Sequence, residues 1–308
     1  MDFALHLPLM EFRGEGVSRA RLESAVDASR EAGFAAVSAN DHFLFSTPWL
    51  DGPTALASVI ERSGSMRLGT TLSLAVLRGP VPLAKTLAAL DLLSDGRLIA
   101  GVGPGSSQRD YAALGIPFDE RWERLDEAIA LLRALLAGER DIEAGRFYAV
   151  PEEPLEPEPV QPGGVPIWIG SWGSAAGLRR VARLGDGWLA SAYNTDPDRF
   201  AVSRERLREE CRHRDREPEQ LPNALVTMWT WVTEDGAAAD QMLDEVLGPL
   251  LGRDSGELRE QLCIGSAGHC AELLDRYRRS GCERVHFWPL GDERRQIEAL
   301  AADVLPRL

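Results

Sequence analysis

Residues 67–103 read RLGTTLSLAVLRGPVPLAKTLAALDLLSDGRLIAGVG, and this stretch decides the fold. Arg67–Leu74 and Arg97–Gly103 are short apolar runs of the kind that form buried strands. Between them, Val81–Leu93 is rich in leucine and alanine and is followed by the turn signal Asp95-Gly96, which predicts a helix. A strand, a helix and a second strand in this order are the repeating unit of a parallel sheet.

The same unit recurs along the whole chain. The predicted strands are Phe3–Pro8, Ala35–Ala39, Arg67–Leu74, Arg97–Gly103, Pro166–Gly170, Gly187–Ser191, Ala224–Val232 and Arg284–Trp288. The predicted helices are Ser18–Ala32, Val81–Leu93, Asp119–Leu136, Ala175–Leu184, Asp196–Arg214, Gly236–Leu251, Ala267–Ser280 and Asp292–Val304. Eight such units predict an α/β fold, a (β/α)8 TIM barrel, with a doubly wound open sheet as the alternative.

The domain organisation follows from length and linkers. The chain has 308 residues, and no long linker divides it. Barrels of roughly 250 residues often form one domain, so we expect residues 1–308 to be a single domain. The proline-rich stretch Val150–Pro166 is expected to be an ordered surface insertion.

Composition limits the partners. The net charge is −14, which argues against nucleic acid and anionic membranes as main partners. No apolar run reaches the length of a membrane span, and the N-terminus lacks the pattern of a signal peptide. The four cysteines form no CxxC pair, so no metal site is expected. We therefore expect a cytoplasmic protein that binds a small organic molecule.

In a barrel of this type the chemistry lies where the strands end, in the loops that lead into the helices. Asn40-Asp41-His42-Phe43 follows the second strand, and an Asp-His pair there can place a proton donor or acceptor in the pocket. A simple surface turn is the alternative. His6, at the end of the first strand, is expected to face the same side.

Two further strand ends are rich in glycine. Gly101–Ser106 resembles a GxGxxG dinucleotide fingerprint, but Ser106 stands at the last glycine and Pro104 interrupts it, which argues against a nicotinamide site. Its glycines either allow a planar ligand to approach or form a tight turn. Ile169–Ser174 opens directly into a helix and predicts an anion cradle, with an ordinary helix cap as the alternative.

The third strand and two tryptophans complete the set. Gly69, Thr70 and Thr71 lie in the middle of the third strand, where a glycine suggests a bulge or a close backbone approach. Trp49 and Trp172 fall in loops at the expected active face and can stack on a flat ligand.

Together these segments resemble the luciferase-like monooxygenase superfamily of flavin- and deazaflavin-dependent oxidoreductases. The most specific match is KTLAALDLLSDGR at residues 85–97 with GVGPG at residues 101–105, where the family usually has AKxxATLDxLSxGRxxLGVGxG. Further matches are DY at 110–111, GIPFDER at 115–121, PIWIG at 166–170, GDGW at 185–188 and PLGD at 289–292.

The resemblance implies a flavin-type cofactor at the C-terminal face of the barrel. In family members that use the deazaflavin coenzyme F420, an Asp-His pair lies at the cofactor ring. It matches Asp41-His42, so His42 is expected to orient the ring or exchange a proton, and Asp41 to fix its tautomer. Those members also have a bulge with a non-prolyl cis peptide, which here corresponds to the Thr71–Leu72 bond.

The resemblance also assigns binding residues. The expected cofactor contacts are His42, Thr70, Thr71, Leu72, Gly103, Gly105, Ser106, Gly170, Ser171, Trp172, Gly173 and Ser191. The expected substrate contacts are His6, Trp49 and Gln108. Two positions depart from the family: Trp172 replaces a small residue, and Gln108 stands near a glutamate of the sugar-phosphate dehydrogenases, so oxidation of glucose 6-phosphate is not expected. Lys85, the only lysine, is expected to serve the packing of its helix.

The predicted function is therefore that of an F420-dependent oxidoreductase that transfers a hydride between the cofactor and an organic substrate. An FMN-dependent monooxygenase that uses oxygen and a separate flavin reductase is the first alternative. A non-catalytic flavin-binding relative and a barrel without any cofactor are the others. Family members often pair through barrel helices, so a homodimer is expected.

Overall fold

The computed structural model describes residues 1–12 and 14–308, and its parallel strands close into a barrel. The strands are β1 (Asp2–His6), β2 (Ala36–Ala39), β3 (Arg67–Thr70), β4 (Ser73–Leu74), β5 (Leu98–Gly103), β6 (Ile167–Gly170), β7 (Gly187–Ser191), β8 (Asn223–Val232), β9 (Cys263–Gly265) and β10 (Arg284–Pro289). Neighbours follow the order β10-β1-β2-β3-β5-β6-β7-β8, and β10 pairs with β8 to complete the ring. The predicted TIM barrel is confirmed.

Helices surround this ring. They are α1 (Arg19–Glu31), α2 (Gly52–Ser58), α3 (Ala75–Arg78), α4 (Pro80–Leu93), α5 (Gln108–Ala113), α6 (Arg121–Leu136), α7 (Ala175–Leu184), α8 (Pro197–Arg212), α9 (Gly236–Gln241), α10 (Gly248–Leu251), α11 (Ser255–Gln261), α12 (Ala267–Arg279) and α13 (Glu293–Ala299). Short α2, α3, α5 and α11 lie in loops that the sequence pattern left without structure. The predicted helix Gly236–Leu251 is instead two α-helices joined by a π-helical stretch, next to Pro249, which lacks a backbone donor.

The third predicted strand is split. β3 pairs with β2 and β5, and β4 resumes the pairing with β5 after Thr71 and Leu72. The Thr71–Leu72 peptide bond is cis, as the family resemblance implied. The short strand β9 was not predicted, and it extends the sheet along β8.

The core has two parts. A large apolar cluster fills the space between the strands and the helices, and a smaller one inside the barrel contains Trp168, Leu189, Ala224 and Val226 with Leu72 packed against it. Parallel strands that are covered on both faces are apolar throughout, which explains the continuous hydrophobic runs in the sequence.

The proline-rich insertion is fastened to the barrel by α4. The buried Asp91 carboxylate accepts hydrogen bonds from the backbone N–H of Val160 at 2.9 Å and from the Gln161 side chain at 2.7 Å. Lys85 is exposed and donates to the carbonyl of Glu156. The expectation that Lys85 serves the packing of its own helix is therefore wrong, because its ammonium group holds the insertion.

The described residues contain neither a membrane-spanning helix nor a metal-binding group of side chains. Among residues 1–12 and 14–308, no helix has the length and apolar character needed to cross a bilayer. The same residues contain no group of three or more His, Cys, Asp and Glu side chains with the arrangement of a metal site.

Candidate active site

His42 lies just beyond the C-terminal end of β2, in an aromatic corner. Its ring centroid is 4.9 Å from that of Phe45 and 4.7 Å from that of Trp49. Its side chain is 20% exposed while its Nδ1 atom is buried, so the exposed part belongs to the rest of the ring, which includes Nε2. The structure thus brings together His42 and Trp49, two of the residues that the sequence predicted for one site.

Asp41 does not orient His42. Both of its carboxylate oxygens accept from Arg78, at 2.5 and 2.7 Å, and one also accepts from the backbone N–H of Leu74 at 3.4 Å. Arg78 in turn pairs with Asp51, which caps the N-terminus of α2. The Asp41 carboxylate thus faces Arg78 of α3 and not the imidazole of His42. The predicted tautomer role of Asp41 is wrong, and its role is structural.

The acidic group that faces His42 is Asp110. Its Oδ2 lies 3.6 Å from Nδ1 of His42, which is an ion-pair distance and too long for a hydrogen bond. Asp110 is 1% exposed, and its Oδ1 accepts from the backbone N–H of Leu44 at 2.8 Å. The sequence showed Asp110 only as part of a family motif, because nothing in the sequence pairs the loop after β2 with α5.

Burial lowers the pKa of His42 below its usual value, while the carboxylates of Asp110 and Asp41 oppose that shift. The neutral imidazole is therefore the dominant form at neutral pH. A neutral imidazole ring has one N–H group and one nitrogen with a free lone pair. It can therefore accept a proton and return it near neutral pH.

His6 is not available to a substrate. Its Nε2 accepts from the backbone N–H of Asn40 at 3.1 Å, so Nδ1 carries the proton and donates it to the carbonyl of Leu7 at 2.8 Å. The ring stacks on Trp288 at 3.6 Å, and complete burial lowers its pKa to about 3. The predicted substrate contact is wrong, because both nitrogens of His6 are engaged by backbone groups, Nε2 by the loop after β2 and Nδ1 by Leu7.

The bulge between β3 and β4 carries buried polar atoms. Thr71 Oγ1 and Ser73 Oγ are buried and have no hydrogen-bond partner in the described part of the protein, and the same holds for Asn40 Oδ1 beside His42. Thr70 differs, because its hydroxyl donates to the carbonyl of Gly101 at 2.6 Å. Buried polar atoms without partners are costly, so these three atoms suit a ligand with hydrogen-bonding groups on its edge.

The glycines of β5 and β6 serve the barrel interior. A Cβ atom at Gly103 would lie 2.8 Å from the Leu72 side chain, and one at Gly170 would lie 2.2 Å from it. Leu72 therefore occupies the space that the sequence analysis assigned to a planar ligand. Gly105 adopts a positive φ of 79° in the turn toward α5, where Ser106 and Gln108 are exposed.

A cleft of about 560 Å³ opens beside the N-terminus of α7. Its lining residues are Trp172, Gly173, Ser174, Tyr193, Asn194, Asp196, Arg199, Arg253, Glu257, Glu260 and Gln261. The predicted residues Trp172 and Gly173 thus lie in the wall of a real cleft, and Trp172 is 59% exposed. Ser171 is buried behind them, and its Oγ accepts from the backbone N–H of Gly173 at 3.3 Å.

The cationic part of this cleft was missed by the sequence analysis. Asn194 Oδ1 accepts from Arg253 at 2.7 Å, and its amide group donates to Ser191 Oγ at 3.0 Å. Ser191 also shares a hydrogen bond of 3.0 Å with Thr227. The predicted residue Ser191 therefore lies behind Asn194 and Arg253 and supports them. An arginine held in this way is prepared to bind a phosphate or carboxylate group.

The barrel thus has a histidine after β2, a bulge after β3 and a cleft of mixed charge beside α7. The chain belongs to the luciferase-like monooxygenase family, whose model matches residues 6–284.

Two named relatives come from actinobacteria. The F420-dependent hydroxymycolic acid dehydrogenase of Mycobacterium tuberculosis is 33% identical over 182 residues, which is 56% of this chain and 49% of the relative. The F420-dependent glucose-6-phosphate dehydrogenase of Amycolatopsis mediterranei is 34% identical over 182 residues, 56% of this chain and 53% of the relative. The chain thus spans about half the length of the relatives that it matches.

Solved structures share the whole fold. An F420-dependent secondary alcohol dehydrogenase in complex with an F420-acetone adduct superimposes with a TM-score of 0.87 at 16% identity, over 99% of this chain and 98% of the other. The monooxygenase RslO1 from Streptomyces bottropensis superimposes with a TM-score of 0.86 at 23% identity, over 99% of both chains. At these identities the likeness concerns the fold.

Proposed function

We propose that the protein is an F420-dependent oxidoreductase that transfers a hydride between the cofactor and a small organic substrate. The observation that carries this proposal is the group of buried, unpartnered polar atoms at the ends of β2 and β3, namely Asn40 Oδ1, Thr71 Oγ1 and Ser73 Oγ, beside His42. A heteroaromatic ring with polar edges satisfies such atoms, and the two named relatives are F420-dependent.

The chain's own residues divide the work of binding. The N-terminus of α7, with the loop that precedes it, would hold the cofactor phosphate, since a helix N-terminus favours an anion. Arg253, fixed by Asn194, adds a charge-assisted bond to the same group. Trp172 covers the outer side of this loop and narrows the cleft.

His42 handles the proton. When bound, the deazaflavin supplies the carbon centre that accepts or donates the hydride. Oxidation of an alcohol also releases a proton from the substrate hydroxyl group. His42 accepts this proton at the exposed edge of its ring. Trp49 and Phe45 pack against the ring and limit the water around it.

An FMN-dependent monooxygenase is the second candidate, and the charge of the cleft favours it. Arg199 and Arg253 face three carboxylates, those of Asp196, Glu257 and Glu260, so the lining supplies cations for one phosphate and repels further negative groups. FMN ends in a single phosphate, whereas F420 carries a longer anionic tail. This candidate requires oxygen and a separate flavin reductase.

A fluorescence titration of the purified protein with F420 and with FMN tests the proposal. We expect F420 to bind at micromolar concentration or below, and Arg253→Met to weaken it by about tenfold, because one charge-assisted bond is worth about 1.5 kcal/mol or more. Arg259→Met is the matched control in the helix that follows Arg253, since Arg259 pairs with Asp240 at the surface. Tight binding of FMN with no binding of F420 contradicts the proposal in favour of the second candidate. No binding of either rejects both and leaves a barrel without a cofactor.

The remaining expectations stay part of this proposal. Residues 1–308 form one domain, the protein forms a homodimer through barrel helices, and it acts in the cytoplasm. A hydride transfer without oxygen continues in an anaerobic assay, whereas a monooxygenase stops there, and the same assay detects a non-catalytic relative that binds the cofactor without turnover.

A further inference from the structure

The carboxylate of Asp110 faces the buried nitrogen of His42, and nothing in the family motif explains why. We propose that Asp110 is a positioning residue that keeps the proton of His42 on Nδ1 and presents the lone pair of Nε2 to the substrate. The role in turnover rests on the proposed function, but the state of the histidine does not.

Asp110 is held in place by two hydrogen bonds. Its Oδ1 accepts from the backbone N–H of Leu44 at 2.8 Å, two residues beyond His42. Its own N–H donates to Ser107 Oγ, the cap of α5, at 3.3 Å. With one oxygen engaged by Leu44, the other is the oxygen that lies 3.6 Å from Nδ1 of His42.

The other groups near His42 are Phe45, Trp49 and Asp41. Phe45 and Trp49 are uncharged. Asp41 is the neighbour in the chain, and its carboxylate is neutralised by Arg78. Within residues 1–12 and 14–308, Asp110 is the one carboxylate at ion-pair distance from the imidazole. The electrostatic field at the imidazole ring of His42 is therefore set mainly by the Asp110 carboxylate in α5.

The nitrogen that carries the proton decides which nitrogen of His42 can act as a base. A carboxylate facing Nδ1 stabilises a proton on that nitrogen, so the neutral ring has its lone pair on Nε2. In the oxidation of an alcohol, the C–H bond breaks and its electron pair and hydrogen go to the deazaflavin. The O–H bond breaks as well, its proton goes to Nε2, and its electrons form the C=O bond. The imidazolium that results is stabilised by Asp110 until it returns the proton to solvent.

The substitution Asp110→Asn separates this role from a structural one. The amide oxygen still accepts from Leu44, but the group that faces Nδ1 is now an amide N–H instead of a carboxylate oxygen. A donor at that place favours the lone pair on Nδ1 and moves the proton to Nε2, the wrong tautomer for a base. Loss of the negative charge also lowers the pKa of His42 further, since Asp110 contributes more than Asp41 to opposing the effect of burial.

The measurement is a ¹⁵N–¹H NMR spectrum of the histidine side chains in the protein without cofactor, recorded over a pH series. The protein has five histidines, and the signals of His42 are those that are lost in His42→Gln. In the wild type we expect the Nδ1–H tautomer at His42. In Asp110→Asn we expect the Nε2–H tautomer and a lower pKa, while the matched control Asp119→Asn, which makes the same change at an exposed carboxylate, leaves both unchanged.

A wild-type ring protonated on Nε2 overturns the proposal, and so does an unchanged tautomer in a folded Asp110→Asn protein. If that variant fails to fold, the wild-type tautomer alone decides. In turnover, Asp110→Asn is expected to reduce kcat by about 100-fold with little change in KM, within the range of acid–base catalysis. Failure to turn over any substrate counts against the proposed function, and the NMR result stands apart from it.

Discussion

Substitution of Arg78 by methionine tests whether the ion pair beneath the site holds that end of the barrel together. Arg78 binds both oxygens of Asp41, which is 3% exposed, and also pairs with Asp51 at the start of α2. Methionine keeps most of the aliphatic volume but removes the charge, so the Asp41 carboxylate is left buried without its cation. That change costs about 3–5 kcal/mol of unfolding free energy.

The size of the effect follows from burial. The pair with Asp51 is partly exposed and adds about 1 kcal/mol at most. For a chain of this length the total corresponds to a fall in melting temperature on the order of 10 °C. Arg62→Met is the control: Arg62 is 49% exposed and pairs with Asp27 at 2.8 Å, so its loss changes the unfolding free energy by about 1 kcal/mol or less.

Urea denaturation followed by circular dichroism measures both variants, and Asp41→Asn with the double variant completes a thermodynamic cycle. We expect a coupling free energy of about 2–3 kcal/mol between the two residues. If Arg78→Met unfolds with a free energy within 1 kcal/mol of the wild type, about the level expected of a surface pair, the reasoning is refuted.

Two further predictions concern the barrel. Burial lowers the pKa of His6 to about 3. Below pH 6.5 the unfolded chain therefore binds a proton at His6 that the folded protein does not bind. The free energy of unfolding falls as the pH falls from 6.5 toward 3. Between pH 6.5 and pH 5 the loss due to His6 is about 2 kcal/mol, and urea denaturation of His6→Gln at both values is expected to show a smaller difference. Gly101→Ala places a Cβ atom 2.0 Å from the Thr70 carbonyl oxygen and is expected to cost about 3 kcal/mol or more in the same assay. Gly236→Ala, where nothing lies within 4 Å, is the control and is expected to keep or raise stability.

Much of the fold was predictable because buried parallel strands are short, apolar and separated by amphipathic helices. The elements that the sequence did not reveal are short. β9 has three residues and α3 has four, too few to show a period. Gly69 already suggested a bulge in the third strand, whereas the cis bond between Thr71 and Leu72 was expected only from the family resemblance.

The sequence indicated which strand ends to consider, but it was wrong about the contacts of Asp41 and His6. The rule that strand ends carry the chemistry located His42 and the Ser171–Ser174 loop. It also suggested Asp41 and His6, whose side chains are engaged inside the barrel by Arg78 and by the backbone. Which carboxylate faces a histidine depends on how α5 packs against the loop after β2, and that long-range contact leaves no local pattern.

The arginine of the cleft shows the same limit. Arg253 follows Gly252, which adopts a left-handed conformation with a φ of 61°, and it reaches the cleft through its bond with Asn194. In a chain with 34 basic residues, of which all but Lys85 are arginine, no single arginine stands out in the sequence.

A crystal structure of the protein with F420 tests the central claim most directly. The account predicts the deazaflavin ring beside His42, with polar ring atoms within hydrogen-bond distance of Asn40 Oδ1, Thr71 Oγ1 or Ser73 Oγ. It also predicts the phosphate at the N-terminus of α7, in contact with Arg253. A ring bound elsewhere, with those three buried atoms still unpartnered, would contradict the account.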